Sequence, residues 1–352
     1  MGHDNDVLLR EFTPSDAPAL EALFRACPDT GRVRATVEHQ IDTYRALQAM
    51  RPRTMGFVAM RAGSESLMGA LLTSISTRHS GGRLRSCALL HSLMVHPEHR
   101  LHGLAHKLLK RTVELARATV GDEGVIVSNV QEGNAGSITA IGRALPHRTG
   151  QYEAVVQPMR RRPPARTSGV QVREARPEEL GAIAEQLETF YENHELYPPQ
   201  TGSSLAAWLG AAPPEAPLRR YYVATDTAGR LRAGLAVVDP SALRIQRVHH
   251  IPPMMRLIDR FAHLLRPDGT LRQLSVDLAW FLPGAEEAAR ALWETVRWEL
   301  RDQGSALGTF FDGRSPLRAM PSAPFFWPRA RFITFTADAG VIRPERLLYP
   351  VL

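Results

Sequence analysis

The sequence predicts an α/β (α+β) protein built as two tandem domains. Three observations lead there: an apolar strand that passes through a proline turn and a small-residue loop into a helix, a length of 352 residues, and a short pattern near the N-terminus that recurs near the middle of the chain.

The recurring pattern comes first along the chain. Val7-Leu8-Leu9-Arg10-Glu11-Phe12-Thr13-Pro14-Ser15-Asp16 reads as a short strand, a Pro-marked turn and the start of an acid-capped helix. Val170-Gln171-Val172-Arg173-Glu174-Ala175-Arg176-Pro177-Glu178-Glu179 has the same order of features. Between the two, the stretch from Arg160 to Gly169 has the composition of a linker, so the domains are set at 1–162 and 170–352 with the linker at 163–169.

Within the first domain, Cys87-Ala88-Leu89-Leu90-His91-Ser92-Leu93-Met94-Val95 is a buried-strand pattern. Leu104, Leu108, Leu109, Val113, Leu115 and Ala116 then follow helical spacing. Between strand and helix, Gly103 and Ala105 let a ligand come close to the backbone, and the first helical N–H groups have no partner in the helix. Those donors, the positive end of the helix dipole and Arg100 suit a pyrophosphate. The loop lacks the Lys-Ser/Thr pair of a Walker motif and is not Gly-x-Gly-x-x-Gly; an ordinary strand-to-helix connection is the plainer alternative.

The string Val95-x-Pro97-x-x-Arg100-x-x-Gly103-x-Ala105 after an apolar strand resembles the coenzyme A loop of the GNAT superfamily of acyl-CoA-dependent N-acyltransferases. The resemblance implies acetyl-CoA as cofactor, held by Arg100, Leu101, His102, Gly103, Leu104, Ala105 and His106. It implies two tandem GNAT-like domains, each a mixed, mostly antiparallel twisted sheet with a splayed parallel strand pair and flanking helices. Backbone N–H groups at Leu93, Met94 or Val95, near a bulge, would stabilise the oxyanion. The second parallel strand is expected over Gly124 to Val130, and Asn134 and Ser137 stand where the family contacts the cofactor arm, although both also suit a helix cap.

In the second domain the equivalent strand is expected over Leu271 to Phe281. Glu286 and Glu287 then occupy the helix start, where they satisfy the dipole and repel a phosphate. Coenzyme A is not expected there. Ala306 to Phe311 and Arg331 to Phe335 still read as strands, so this domain is expected to be a degenerate copy, a packing partner or a wall of the acceptor pocket. A loop-bearing first half followed by a second half containing Phe310-Phe311-Asp312-Gly313-Arg314-Ser315-Pro316-Leu317-Arg318 also resembles the plant hookless-type acetyltransferase group.

Acyl transfer to an amine needs a base, an oxyanion donor and an acid for the leaving thiolate. His91 and Glu132 are the candidate bases; His91 stands on the central strand, where a histidine is more often structural, and Glu132 lies just past the second parallel strand. Many relatives place a tyrosine seven residues after the Asn, but Ile141 is there, and Leu145-Pro146 replaces the usual Gly-Phe. Tyr152 is the substitute acid if its loop folds back, with His147 or release through water as alternatives.

Five histidines, His91, His96, His99, His102 and His106, cluster in sequence, but they span strand, turn and loop without a His-Glu-x-x-His pattern. No metal is expected, and phosphate contact by His102 or His106 is preferred. The formal charge of +7 comes from arginines spread through both halves without a nucleic-acid-binding signature, so no nucleic-acid partner is expected. Cys27 and Cys87 fit a reducing compartment, and the polar, acidic Met1 to Asp6 has no apolar signal core; a cytoplasmic protein without membrane attachment is expected, its oligomeric state open. The segment Phe24 to Arg53, with Glu38, His39, Asp42 and Tyr44 on expected helices, would cover the acceptor, its carboxylates either binding a cationic amine or lying on solvated faces. Phe190 to Pro199 reads as a contact surface or a buried core edge.

The functional expectation is an acetyl-CoA-dependent N-acetyltransferase acting on a primary amine, with a small-molecule substrate preferred. Protein Lys or N-terminal acetylation and a non-catalytic acyl-CoA-binding regulatory module are the alternatives.

Overall fold

Apolar, β-branched runs become strands and the 3.6-residue patterns become helices in a computed structural model that describes residues 7–28, 33–211, 217–324 and 326–351. The segment Met1 to Asp6 lies outside the described residues. The first half runs β1 (Val7–Glu11), α1 (Ala17–Ala26), β2 (Arg34–His39), α2 (Thr43–Met50), β3 (Thr54–Arg61), β4 (Leu67–Ser80), β5 (Arg83–Val95), α3 (Leu104–Val120), β6 (Val125–Gln131), α4 (Ala135–Ala144) and β7 (His147–Pro158). The second runs β8 (Gln171–Glu174), α5 (Leu180–Tyr191), β9 (His194–Glu195), α6 (Gly202–Gly210), β10 (Arg219–Thr225), β11 (Leu231–Val238) and β12 (Arg244–His250). It continues with α7 (Pro253–Ala262), β13 (Thr270–Leu271), β14 (Gln273–Phe281), α8 (Glu286–Glu299), β15 (Ala306–Phe311), β16 (Arg329–Thr336) and β17 (Leu347–Leu348).

Twelve strands form one sheet in the order β1-β3-β4-β5-β6-β16-β7-β15-β14-β11-β10-β8. Matching β1 with β8, β3 with β10, β4 with β11, β5 with β14, β6 with β15 and β16 with β7, the order reads the same from either end. Each half therefore repeats the other. The halves also exchange a strand: β16 lies between β6 and β7, and β7 pairs with β15. The segment joining β7 to β8 runs between two halves of one continuous sheet, because each half closes the other's inner edge.

Within this sheet only β5 with β6 and β14 with β15 are parallel. The antiparallel neighbours β3–β4, β4–β5 and β10–β11 are joined by short turns, whereas a parallel pair requires a crossover, which α3 and α8 supply. Helix α3 buries Leu104, Leu108, Leu109, Thr112 and Ala116 on one face against the first half of the sheet. In the second half α8 buries Leu292, Trp293 and Val296.

The repeated sequence pattern has a repeated interaction. Arg10 grips Asp16 with two nitrogens at 2.7 and 2.5 Å, and the Thr13 N–H donates to the same carboxylate at 2.8 Å. Arg173 grips Glu179 at 2.7 and 2.6 Å, and the Arg176 N–H donates to it at 2.8 Å. Both carboxylates thus end a strand and start a helix at once.

A second sheet, β13-β12-β2, ties the halves together. It moves Glu38 and His39 from the expected helix onto a strand, because β12, from the other half, pairs with Arg34 to His39. Thr36 and Val37 favour that pairing, but the partner lies some 200 residues away and has no local signature. Of the two readings of Phe190 to Pro199, the buried edge holds: Tyr191, His194, Glu195, Leu196 and Tyr197 are all buried. Cys27 and Cys87 are free thiols. No helix among the described residues is long and apolar enough to cross a membrane.

His194 is buried with neither ring nitrogen partnered among the described residues, and burial pushes its pKa down to about 4. Unfolded imidazole titrates near 6.5, so between these values the unfolded chain binds more protons and stability falls as pH falls. The full loss is about 3 kcal/mol. Thermal melts are expected to drop between pH 6.5 and 4.5, and His194→Gln is expected to flatten that slope relative to the parent protein. An unchanged slope would assign the acid sensitivity to other groups.

Candidate active site

Strands β5 and β6 pair from Cys87–Val125 to Leu90–Ser128 and no further, although β5 runs on to Val95 and β6 to Gln131. The Ser128 hydroxyl donates to the Leu90 carbonyl at 3.0 Å, the last link before the strands part. Just there β5 bulges. Leu72 faces His91 and Ala70 faces Met94, so Ser92 and Leu93 share one residue of β4. Ser92 takes φ +56°, a left-handed conformation that side chains rarely adopt away from functional sites. The β6-facing edge of Leu93, Met94 and Val95 therefore has no strand partner.

The second half keeps this bulge and fills it. Leu278 has φ +46°, and β11 skips from Ala236 opposite Asp277 to Gly234 opposite Trp280. Here the Tyr221 hydroxyl donates to the Leu278 carbonyl at 2.8 Å and the Tyr191 hydroxyl to the Ala279 carbonyl at 2.6 Å, while Tyr349 bonds Asp277. Beyond it α8 opens with Glu286 and Glu287. Aromatic rings and carboxylates occupy the places that a thioester and a phosphate would need.

In the first half, Pro97–His99 forms a single 3-10 turn, and Arg100 Nε returns to the Val95 carbonyl at 3.1 Å. Leu101 (φ +67°) and Gly103 (φ +74°) then reverse the chain. Leu101 is wholly exposed, whereas Leu104 is buried and anchors α3. The Gly103 carbonyl accepts from the His106 and Lys107 N–H groups at 3.0 and 3.2 Å, leaving those of Leu104 and Ala105 with no partner inside the helix. A Cβ on Gly103 would meet nothing within 4 Å, so the concave face is open. The loop thus has bare donors, a helix dipole and room, which suits a pyrophosphate. His102 and His106 are exposed beside it.

Asn134 caps α4, its side chain accepting from the Ser137 N–H at 3.1 Å. Glu132 is exposed on the turn past β6, its backbone N–H bonded to the Arg331 carbonyl at 2.8 Å. Tyr152 is on no loop. It stands mid-strand in β7, buried, stacked on Phe332 at 5.1 Å and edge-on to Phe310 at 6.1 Å. Its hydroxyl has no hydrogen-bond partner among the described residues, and burial raises its pKa well above the usual phenol range, keeping it protonated. His147 begins the same strand.

His91 bonds Ser92 Oγ through Nδ1 at 3.1 Å, while Nε2 is buried without a partner. Burial, and then the charges of Arg51 and Arg244, hold its pKa well below 6.5, so the ring is neutral at physiological pH. Arg51 lies within electrostatic reach of both His91 and Tyr152, and so relates two residues 61 positions apart. Neither arginine is singled out by sequence: Arg51 follows a helix and Arg244 belongs to the other half. His96, Glu98 and His99 bring ligand-type atoms within 4.8 Å of one another, but sequence neighbours on one short turn meet whatever their role.

Residues 18–143 match the profile of the Acetyltransferase (GNAT) family. The first half is a GNAT domain. Solved structures extend the likeness over both halves. Saccharomyces cerevisiae N-myristoyltransferase with bound myristoyl-CoA is similar over 98% of this chain and 87% of its own, with TM-score 0.62 and 12% identity. A GCN5-related N-acetyltransferase from Sphaerobacter thermophilus is similar over 97% of this chain and 98% of its own, with TM-score 0.58 and 15% identity. One from Kribbella flavida covers 94% and 70%, with TM-score 0.53 and 17% identity. At these identities the likeness is one of fold, and it is the tandem GNAT fold. The sequence has no significant match among curated proteins. By its GNAT domain the protein is an acyl-CoA-dependent N-acyltransferase.

Gly103→Val is expected to weaken coenzyme A binding about tenfold or more, measured by calorimetry. A side chain at φ +74° costs about 1–2 kcal/mol of stability, with no clash to add to it. Unchanged affinity would remove this loop from the cofactor site.

Proposed function

We propose that the protein is an acetyl-CoA-dependent N-acetyltransferase whose acceptor is the primary amine of a small molecule. One observation carries this reading: the open Gly103 loop and the Ser92 bulge flank the point where β5 and β6 part, with His91 beside that bulge. Leu104 and Ala105, with Arg100, hold the diphosphate; Leu93, Met94 and Val95 line the pantetheine and thioester with backbone groups. Asn134 and Ser137 lie at the far side of the parted strands.

In the reaction, the neutral amine attacks the thioester carbonyl carbon, forming the C–N bond, and a backbone N–H past the bulge stabilises the oxyanion. His91 Nε2 takes the ammonium proton, which its neutral state allows. The C–S bond breaks, and the Tyr152 hydroxyl protonates the departing sulfur. Glu132, exposed beyond β6, passes the proton from His91 to solvent, and the Tyr152 phenolate takes one proton back, which restores both groups. Acetylated amine and free coenzyme A are the products.

A small acceptor is supported by the covering of this region: β2 and β12 from opposite halves pair across it, and α2 packs its Ala46 beside Leu218 and Leu243. One observation favours a second reading, a longer acyl donor: the myristoyltransferase of similar fold binds myristoyl-CoA.

Thiol release from acetyl-CoA with a panel of amines is expected to reveal turnover, and replacing acetyl-CoA by myristoyl-CoA is expected to slow it. Absence of release with every amine while coenzyme A still binds would leave only a binding module. Tyr152→Phe is expected to lower kcat about 100-fold with cofactor affinity unchanged; a parental rate would free Tyr152 of its role. Because His91 is already neutral at pH 6.5, its limb in the kcat/KM profile is expected below that pH. An inflection near 6.5 that His91→Gln abolishes would contradict this placement.

A further inference from the structure

The acceptor side of the site carries positive charge with nothing opposite it. Arg51, the C-cap of α2, and Arg244, the first residue of β12, come from the two halves: Met50, next to Arg51, packs against the cluster that holds Leu243, next to Arg244, and the Arg244 charge reaches Arg51. The backbone holds them there: Arg244 pairs with His39 across the small sheet, and the Gln40 N–H donates to the Leu243 carbonyl at 2.8 Å. Arg51 Nε is buried without a partner, and the Arg244 side chain makes no hydrogen bond or ion pair with the described residues. His91 Nε2, turned to the same two charges, is also bare. Arg244 borders a small pocket of about 40 Å³ lined further by Ser241, Gln246, Gln273 and Arg272, the last held by Ser241 at 2.7 Å and Asp239 at 3.8 Å.

The carboxylates expected to meet a cationic amine are already engaged. Glu38 binds Arg247 at 2.5 Å, Glu21 binds His39 at 2.7 Å and Arg25 at 2.9 Å, and Asp42 caps α2 through the Arg45 N–H at 2.9 Å. None of them bonds Arg51 or Arg244. Guanidinium stays charged even where burial lowers its pKa, as for Arg51 at about 10, so two half-buried guanidinium groups without a counter-ion among the described residues are unfavourable. Such a pair stabilises the fold little. It does suit an incoming anion, whose oxygens the planar forks match.

Building on the N-acetyltransferase reading, we propose that Arg51 and Arg244 bind an anionic group, carboxylate or phosphate, carried by the acceptor amine. The preferred substrates are thus anionic amines and not polyamines. Binding there also neutralises the two charges nearest His91, so the base gains proton affinity only when the proper acceptor is in place.

The test is the rate of thiol release at saturating acetyl-CoA with one amine scaffold bearing in turn a carboxylate, a phosphate, the neutral amide and a second ammonium. An anionic member is expected to exceed the amide by about 30-fold in kcat/KM, and the better of the two names the group. Arg51→Gln and Arg244→Gln are expected to raise KM for that substrate by a similar factor and to erase its advantage over the amide. Coenzyme A affinity should stay unchanged by calorimetry, and the melting temperature should hold or rise, since an unpaired buried charge is gone. Arg244→Glu is expected to shift preference toward the ammonium-bearing member. Equal or better turnover of the neutral or cationic amine by the parent protein overturns the proposal. So does a lower melting temperature with kcat reduced for all four amines alike, which would mark the arginines as structural. If no amine releases thiol although coenzyme A binds, the acetyltransferase reading itself falls and this subsite with it.

Discussion

Parallel hydrogen bonding holds β5 to β6 as far as Leu90 and Ser128, and beyond that pair the two strands no longer bond to each other. The bulge at Ser92 turns β5 just as the gap opens, and the Gly103 loop closes its outer end with further unpaired N–H groups. Splay, bulge and loop together form one continuous strip of backbone donors along which an acyl-carrying thiol ester of a nucleotide can lie. Side-chain identity matters little along most of it.

The same geometry recurs in the second half and is neutralised there by packing. Tyr191, Tyr221 and Tyr349 direct their hydroxyls to the backbone and to Asp277 around the Leu278 bulge, and two glutamates begin the following helix. What was a site elsewhere has become core. The exchange of β7 and β16 explains why such a half is retained: without β16, β6 would present an unpaired edge, and without β7, β15 would do so. The second half also delivers Phe310 and Phe332 around Tyr152 and Arg244 beside His91. Its contribution to the first half is therefore both structural and chemical.

Charge is distributed along the same lines. Glu38 is held by Arg247 and Asp42 by a helix end, whereas Arg51 and Arg244 have no counter-ion among the described residues. In sequence these groups look alike, each a charged residue in a polar stretch. Only the pairing of β2 with β12 separates the committed charges from the free ones.

Much was readable along the chain because it is governed by local chemistry. The Arg100 to Ala105 turn depends on a residue that tolerates positive φ at Gly103 and on small groups at a helix start, and the paired motifs around Arg10–Asp16 and Arg173–Glu179 bond within six residues. The two parallel strand pairs and the glutamates that open α8 were equally visible for that reason. Strand exchange, the siting of Tyr152 within β7, the move of Glu38 and His39 onto a strand and the meeting of Arg51 with Arg244 were not. Each depends on a backbone partner 100 residues or more away, or on a side chain packed through one, and pairing at that range leaves no periodicity in either segment. Local backbone preference thus specified the turn from Arg100 to Ala105 and the helix after it, while long-range pairing in the assembled sheet decided which charged residues meet.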